Sequence, residues 1–232
     1  MQSKFIPGIY LYCDQWCERC HLKFFCSAFA NNSMLPDANG SEYMPPEGLP
    51  YLEHGSCDHC LSERERQGYD KGRMPGSGNG LSVSRCDDEA LCHIALEYAK
   101  SVYAWFEKNR DEIRSLGCEL ATLDKHEKWK FEDVILIFYR YGYLIYHKLI
   151  FALDNHANIK VADGDKYLGA VKVALIACEK TQGALCRLLK WWDNEDEILE
   201  FLLSLNVLKK RIIASFPKAP HFKRPGFDID EM

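Results

Sequence analysis

After residue 85, apolar side chains return every three or four positions, the spacing of helices that bury one face. Leu91, Ile94, Tyr98, Val102, Trp105, Ile113 and Leu116 fall largely on one such face. Ser84 with Asp87, followed by Asp88 and Glu89, suits the start of that helix, and Gly117 suits its end. A second helix opens at "DKHE", where Asp124 can cap and Glu127 can reach back, and it runs to about Asp154. A third, capped by Asp165, continues to about Trp192 with Val171, Ala174, Cys178, Leu185, Leu188 and Trp192 on one side. A fourth starts at "NEDE", residues 194–197, and Pro217 ends it.

The second segment is rich in Ile, Val, Phe and Tyr, which favour strands. Its length decides for helix, because strands of about twenty residues are rare. Four helices of roughly 22–31 residues with short connections predict an all-α fold, a four-helix up-down bundle over residues 86–216. Residues 1–62 have another texture: many cysteines and aromatics, punctuated by Pro and Gly. They read as an irregular, cysteine-rich metal-binding module. Residues 63–85 are polar and rich in Gly and Ser, as linkers are. Residues 217–232 hold too much proline for a helix and read as an extended tail pinned by Phe216, Phe222 and Phe227.

Composition adds limits. In 232 residues the hydrophobic share is 47% and the charged share 27%, so a packed core is expected. A net charge of -5 argues against a protein that coats nucleic acid. Residues 134–153 are long and apolar enough to span a bilayer, but Arg140, His147 and Lys148 lie inside them. A mid-bilayer Arg or Lys costs roughly 2.5–3.5 kcal/mol, so the segment reads as a core helix and no membrane partner is expected. The opening "MQSKFIPGIYLYC" lacks the features of a secretion signal, so a cytoplasmic, reducing location is expected. There, the 11 cysteines are read as metal ligands or reactive groups before disulfides.

Four of those cysteines lie in "YCDQWCERCHLKFFC": Cys13, Cys17, Cys20 and Cys26. In a helix the first three would share a face at i, i+4 and i+7, and the fourth could return after a turn. A [4Fe–4S] iron–sulfur cluster needs four thiolates around one compact centre, and closely spaced cysteines supply them. Zinc is the alternative. Cys57 and Cys60 in "HGSCDHC", beside His54 and His59, form a second C-x₂-C that could join Cys17 and Cys20. The cluster is favoured over zinc because four ligands from one stretch leave none over. The spacing also resembles that of radical-SAM enzymes, but this chain lacks the alternating strands and helices of their barrels. A metal-free reading, with the thiols packed as small hydrophobes, fits poorly beside Asp14, Glu18 and Arg19.

Other constellations carry less. Cys178 and Cys186 sit in an apolar helix and read as core. Cys118 follows the expected helix stop. Cys86, Cys92 and His93 begin a helix whose His93 and Glu97 side also carries Lys100 and Glu107, a solvated face. Glu179, inside "VALIACEKTQGAL", could point inward as a di-iron ligand, although no Glu-x₂-His pair accompanies it. Asp133, Arg140, His147 and Asp154 recur every seven residues, either as a solvated strip or as a buried track holding an anion and exchanging protons. Tyr139, Tyr141, Tyr143 and Tyr146 around it read as core. The basic residues from Lys209 to Arg224, with Phe216 and Phe222 between, read as ordinary surface and a helix C-terminus. No phosphate loop, dinucleotide glycine pattern or nucleophile elbow is present, and "DNHAN" fails the calcium-loop pattern at Ile159.

The opening "YCDQWCERC" and the ending "FPKAPHFKRPGFD", with "GAVKVALIACEKTQGAL" between them, resemble a bacterial protein family with a YCDxWCERC start, a helical body and an RPGFD finish. The resemblance implies a bacterial cytoplasmic protein and treats Cys13, Cys17, Cys20 and Cys26 as one unit. It carries no activity. The expectation is a metal-binding protein with an iron–sulfur cluster for electron transfer, redox sensing or structural support, working with a protein or redox partner. A zinc-stapled scaffold and an enzyme using the helical bundle are the alternatives.

Overall fold

The computed structural model describes residues 5–6, 8–33, 85–157 and 166–228, without the side chains of 31–33, 85–89 and 154–157. The described residues are all-α, with no strand among them. The chain divides into two units, Met1–Ser82 and Val83–Met232.

In the first unit the cysteine stretch is not α-helical. It is a run of short 3₁₀ turns, Ile9–Tyr12, Cys17–Arg19 and Lys23–Phe25, followed by helix α1, Ser27–Ser33. The cause is local. The Asp14 carboxylate accepts the Trp16 N–H at 3.3 Å, and Gln15 between them is left-handed at φ 57. An Asx-type turn with a left-handed residue cannot continue a helix. The Ile6 N–H donates to the Phe25 carbonyl at 2.9 Å, so the loop closes on itself with three of the cysteines inside it.

The second unit holds α2 (Arg85–Lys108), α3 (Arg110–Leu123), α4 (Lys125–Ala157), α5 (Lys166–Leu188) and α6 (Glu195–Ser215). The helix expected to stop at Gly117 runs on to Leu123 and breaks earlier, at Asn109. Asn109 is buried, and its side-chain amide donates to the Trp105 carbonyl at 2.9 Å. Gly117 is buried inside α3 and faces Phe131. Asp124 ends α3 and caps α4, accepting the His126 N–H at 2.8 Å. Glu127 does not reach back to the cap; it pairs with Lys130 and Lys190.

Helix α4 is central. It packs most extensively on α5 and also against α2 and α3, while α6 packs on α5 and α2. Phe131, Val134, Ile135, Phe138, Tyr141, Ile145 and Leu149 are buried along it. It is long and apolar enough to cross a membrane by length and composition, and half of its most apolar window is buried within the protein. The core centres on aromatic rings. Trp105 stacks against Trp192 at 4.8 Å and Phe138 at 5.4 Å, and Phe138 meets Phe201 at 5.1 Å. The tail is not extended throughout. It forms a 3₁₀ turn at Ala219–His221 packed on α5, where Lys172 donates to the Pro220 carbonyl at 2.6 Å. It then folds into a loop in which Asp228 accepts both the Arg224 backbone N–H (2.9 Å) and its guanidinium (2.8 Å).

Candidate metal centre

Each of the four cysteines stands at the edge of a 3₁₀ turn. Cys13 follows the first turn, Cys17 opens the second, Cys20 closes the second and Cys26 closes the third. Cys13, Cys20 and Cys26 are extended, so their side chains leave the turns rather than line a helix. The Cys20 N–H donates to the Cys17 carbonyl at 3.3 Å, which ties the C-x₂-C pair into one bend. Trp16 is buried beneath this bend's entry, and the Arg19 guanidinium stacks over its ring at 4.0 Å.

All four are half-buried reduced thiols. The Cys20 thiol is raised above its ordinary range, first by burial and then by repulsion from Cys17, Asp14 and Cys26, while the Leu22 backbone N–H opposes the rise. Charges on Cys17, Asp14 and Cys26 therefore act on Cys20, and the Leu22 backbone N–H acts on its sulfur. That amide favours thiolate over thiol, as amides around thiolate metal centres do. Cys13 is less committed to this group: its S–H donates to the Tyr10 carbonyl at 3.2 Å. Among the described residues, no three His, Cys, Asp or Glu side chains stand together as a ready-made ligand set. The fit to a metal is thus partial. The four thiols lie along one run of short turns without being gathered into a ligand set. Cys57, Cys60, His54 and His59 lie outside the described residues.

The other candidates separate clearly. Cys178 is buried, and burial pushes its thiol up to about 12, so it is a core thiol. Cys186 is exposed, which corrects its reading as core, and Cys118 is exposed as well. Glu179 is exposed and pairs with Lys209 at 3.0 Å, so it does not point into the interior. His93 and Glu97 lie on an exposed face, where Glu97 pairs with Lys100. The side chain of Cys86 lies outside the described residues.

Asp133, Arg140 and His147 are half-buried, and the side chain of Asp154 lies outside the described residues. His147 leans on the rings of Tyr143 and Tyr146 at 5.6 and 5.7 Å. Asp133 alone of the three lines a surface groove of about 450 Å³, with Glu127, Lys130, Cys186, Arg187, Lys190 and Trp191. Three of the charges in that groove pair with one another: Lys190 and then Lys130 hold the Glu127 carboxyl down at about 2. Tyr141 is core, and its hydroxyl accepts from Lys180 at 3.0 Å.

Two features escaped the sequence pattern. Lys148 is buried on α4. Glu197, at the start of α6, accepts the Trp105 indole N–H at 2.9 Å and pairs with Lys108. Lys108 first, then Trp105, holds its carboxyl low against the effect of burial. The Trp192 indole N–H lies near enough to add to this without closing a hydrogen bond. An acid flanked by aromatics three residues into a helix carries no distinctive sequence signal. No protein family, curated protein or solved structure matches this chain, so the reading of the site rests on its own geometry.

Proposed function

We propose that the N-terminal unit is a thiolate metal module in which Cys13, Cys17, Cys20 and Cys26 hold an iron–sulfur cluster. The observation that carries this reading is the placement of all four cysteines at the edges of three consecutive 3₁₀ turns, in a segment tied by the Ile6–Phe25 hydrogen bond. Burial first, and then repulsion from Cys17, Asp14 and Cys26, raises the Cys20 thiol and favours its protonated form. A cation among the sulfurs reverses the sign, so that repulsion between thiolates becomes attraction to a shared centre. When bound, the cluster supplies one-electron chemistry at a potential set by its thiolates and by hydrogen bonds to them. The chain's own part is to gather the sulfurs by consecutive turns and to direct an amide at them. Within the same turns Trp16 is buried, with the Arg19 guanidinium over its ring.

The same reading makes the helical unit a support: a four-helix up-down bundle over residues 86–216, with α2 and α3 counted as one interrupted helix. Its place is the cytoplasm, its role electron transfer, redox sensing or structural stabilisation, and its counterpart a protein or redox partner.

Anaerobic purification followed by elemental analysis tests the proposal. Iron with acid-labile sulfide, and a broad visible absorption that bleaches on reduction, is the expected result. One equivalent of zinc in a colourless protein replaces the cluster with the scaffold alternative. Protein from iron- and zinc-replete cells that arrives metal-free, with four freely titrating thiols, overturns the module. Cys20→Ser should abolish metal retention and leave the helical circular dichroism unchanged.

A further inference from the structure

Helix α6 buries Ile198, Leu205, Leu208 and Ile212 in the core. Its opposite face is also apolar: Leu199 is 45% exposed, Leu203 66% and Val207 51%. Single exposed apolar residues are ordinary. Three at four-residue spacing form a continuous stripe on one side of a helix.

The charges bracketing this stripe have an order of their own. Asp196 lies seven residues before Leu203 and Lys210 seven after, so both share its face. Both are exposed. Read along the helix, the face is Asp196, Leu199, Leu203, Val207, Lys210, with steps of three, four, four and three. It is symmetric in spacing about Leu203 and antisymmetric in charge. Acids at the start and bases at the end suit any helix dipole, but that preference does not place them on the apolar face at equal distances from its centre.

We propose that α6 pairs with α6 of a second copy of this chain, antiparallel, about a two-fold axis at Leu203. Leu203 then meets its own equivalent, Leu199 meets Val207 of the other copy, and Asp196 meets Lys210 at both ends. A parallel pair would set Asp196 against Asp196 and Lys210 against Lys210. An isologous interface requires this kind of self-complementarity. The helix is about 31 Å long. One helix face per copy is a small interface beside the ~1,200–2,000 Å² of stable complexes, so the dimer dissociates on the order of micromolar concentration.

Sedimentation of the full-length chain from about 1 to about 200 µM tests this. The expected mass rises from 26.8 kDa towards twice that value. Leu203→Glu sets two carboxylates against each other on the axis and should weaken association at least about tenfold. Asp196→Lys and Lys210→Asp should each weaken it about fivefold, and the double exchange should restore it to within about twofold. These positions are exposed, so helical content should not move and Leu203→Glu should leave the monomer's unfolding midpoint in place; the charge reversals lower it only by their helix-dipole contribution, which the double exchange does not recover, so rescue of association separates pairing from folding. A monomer throughout the range overturns the proposal, as does a dimer indifferent to Leu203→Glu. A double exchange that fails to rescue overturns the antiparallel pairing.

Discussion

Gly142 gives the sharpest test of how α2 and α4 meet. It is buried in the middle of α4, and a Cβ added there would lie 2.9 Å from Val102 Cγ1 and 3.2 Å from both Val102 Cβ and Cγ2. Val102 is 2% exposed and β-branched, with one strongly preferred side-chain orientation in a helix. Rotation only exchanges one methyl for another, because Cβ itself is in the way. Gly142→Ala alone should gain about 0.8–1 kcal/mol in helix propensity. Against that, forcing a methyl into a packed contact costs about 1–3 kcal/mol. The balance is a net loss of about 1 kcal/mol, opposite in sign to the propensity effect alone. Val102→Ala alone should cost about 2 kcal/mol by opening a cavity. In the double variant the new methyl sits in the vacated space, so the two losses should not add. The coupling should reach about 2 kcal/mol. Urea unfolding followed by far-ultraviolet circular dichroism measures all four proteins. A stabilised Gly142→Ala, or strictly additive losses, would refute the close packing of α2 on α4 at this point.

Three further outcomes follow from the core and the tail. The Tyr98 hydroxyl is buried without a hydrogen-bond partner, so Tyr98→Phe should raise stability by about 1 kcal/mol in the same urea assay; a loss would mean the hydroxyl is bonded. Glu197→Gln weakens the hold on Trp105 and Lys108 and should cost about 1–2 kcal/mol at neutral pH. Because the folded state holds this carboxyl low, its contribution is complete above the unfolded pKa of about 4.3 and disappears as pH falls through the lower folded value. The difference between wild type and Glu197→Gln should therefore shrink below about pH 4, and a difference that stays constant on acidification would contradict this role. Asp228→Asn should loosen the loop closed on Arg224, seen as faster proteolytic trimming of the tail with an unchanged helical core; equal trimming rates would show that the loop is not the tail's anchor.

Helices were legible where position alone decides. The boundaries of α4 and α6 follow from Asp124, from the acids at 195–197 and from Pro217, each acting through a backbone group that the sequence identifies. Gly117 misled because glycine has two uses. It can end a helix by turning left-handed, or it can let another element approach, and here it faces Phe131 from inside α3. The break at Asn109 depends on an amide bonded to the Trp105 carbonyl, a choice that only the packed structure fixes. Cys186 was misjudged by averaging over an apolar stretch, and the same averaging left an inward Glu179 open. Cys186 lies eight residues from Cys178, about 80° around the helix, and Glu179 is about 100° from the same buried thiol. Both angles carry the side chain out of the core.

The cysteine stretch was legible as a dense run of thiols and not as a shape. The helical reading fails at Asp14 and Gln15, where a side-chain turn and a left-handed residue redirect the chain. Asp is a turn former, so half of that signal was present in the sequence. What the geometry adds is a comparison within one molecule. Cys178 is a thiol kept for packing: fully buried, raised by burial to about 12, and set among apolar side chains. Cys13, Cys17, Cys20 and Cys26 differ from it in exposure and in surroundings. They are half-exposed, Cys20 is raised partly by its neighbouring thiols, and an amide works against that rise. A segment selected only to fill space would bury its sulfurs and spread them apart. One that must release protons to a metal needs them reachable, close together and opposed by a donor that stabilises the thiolate.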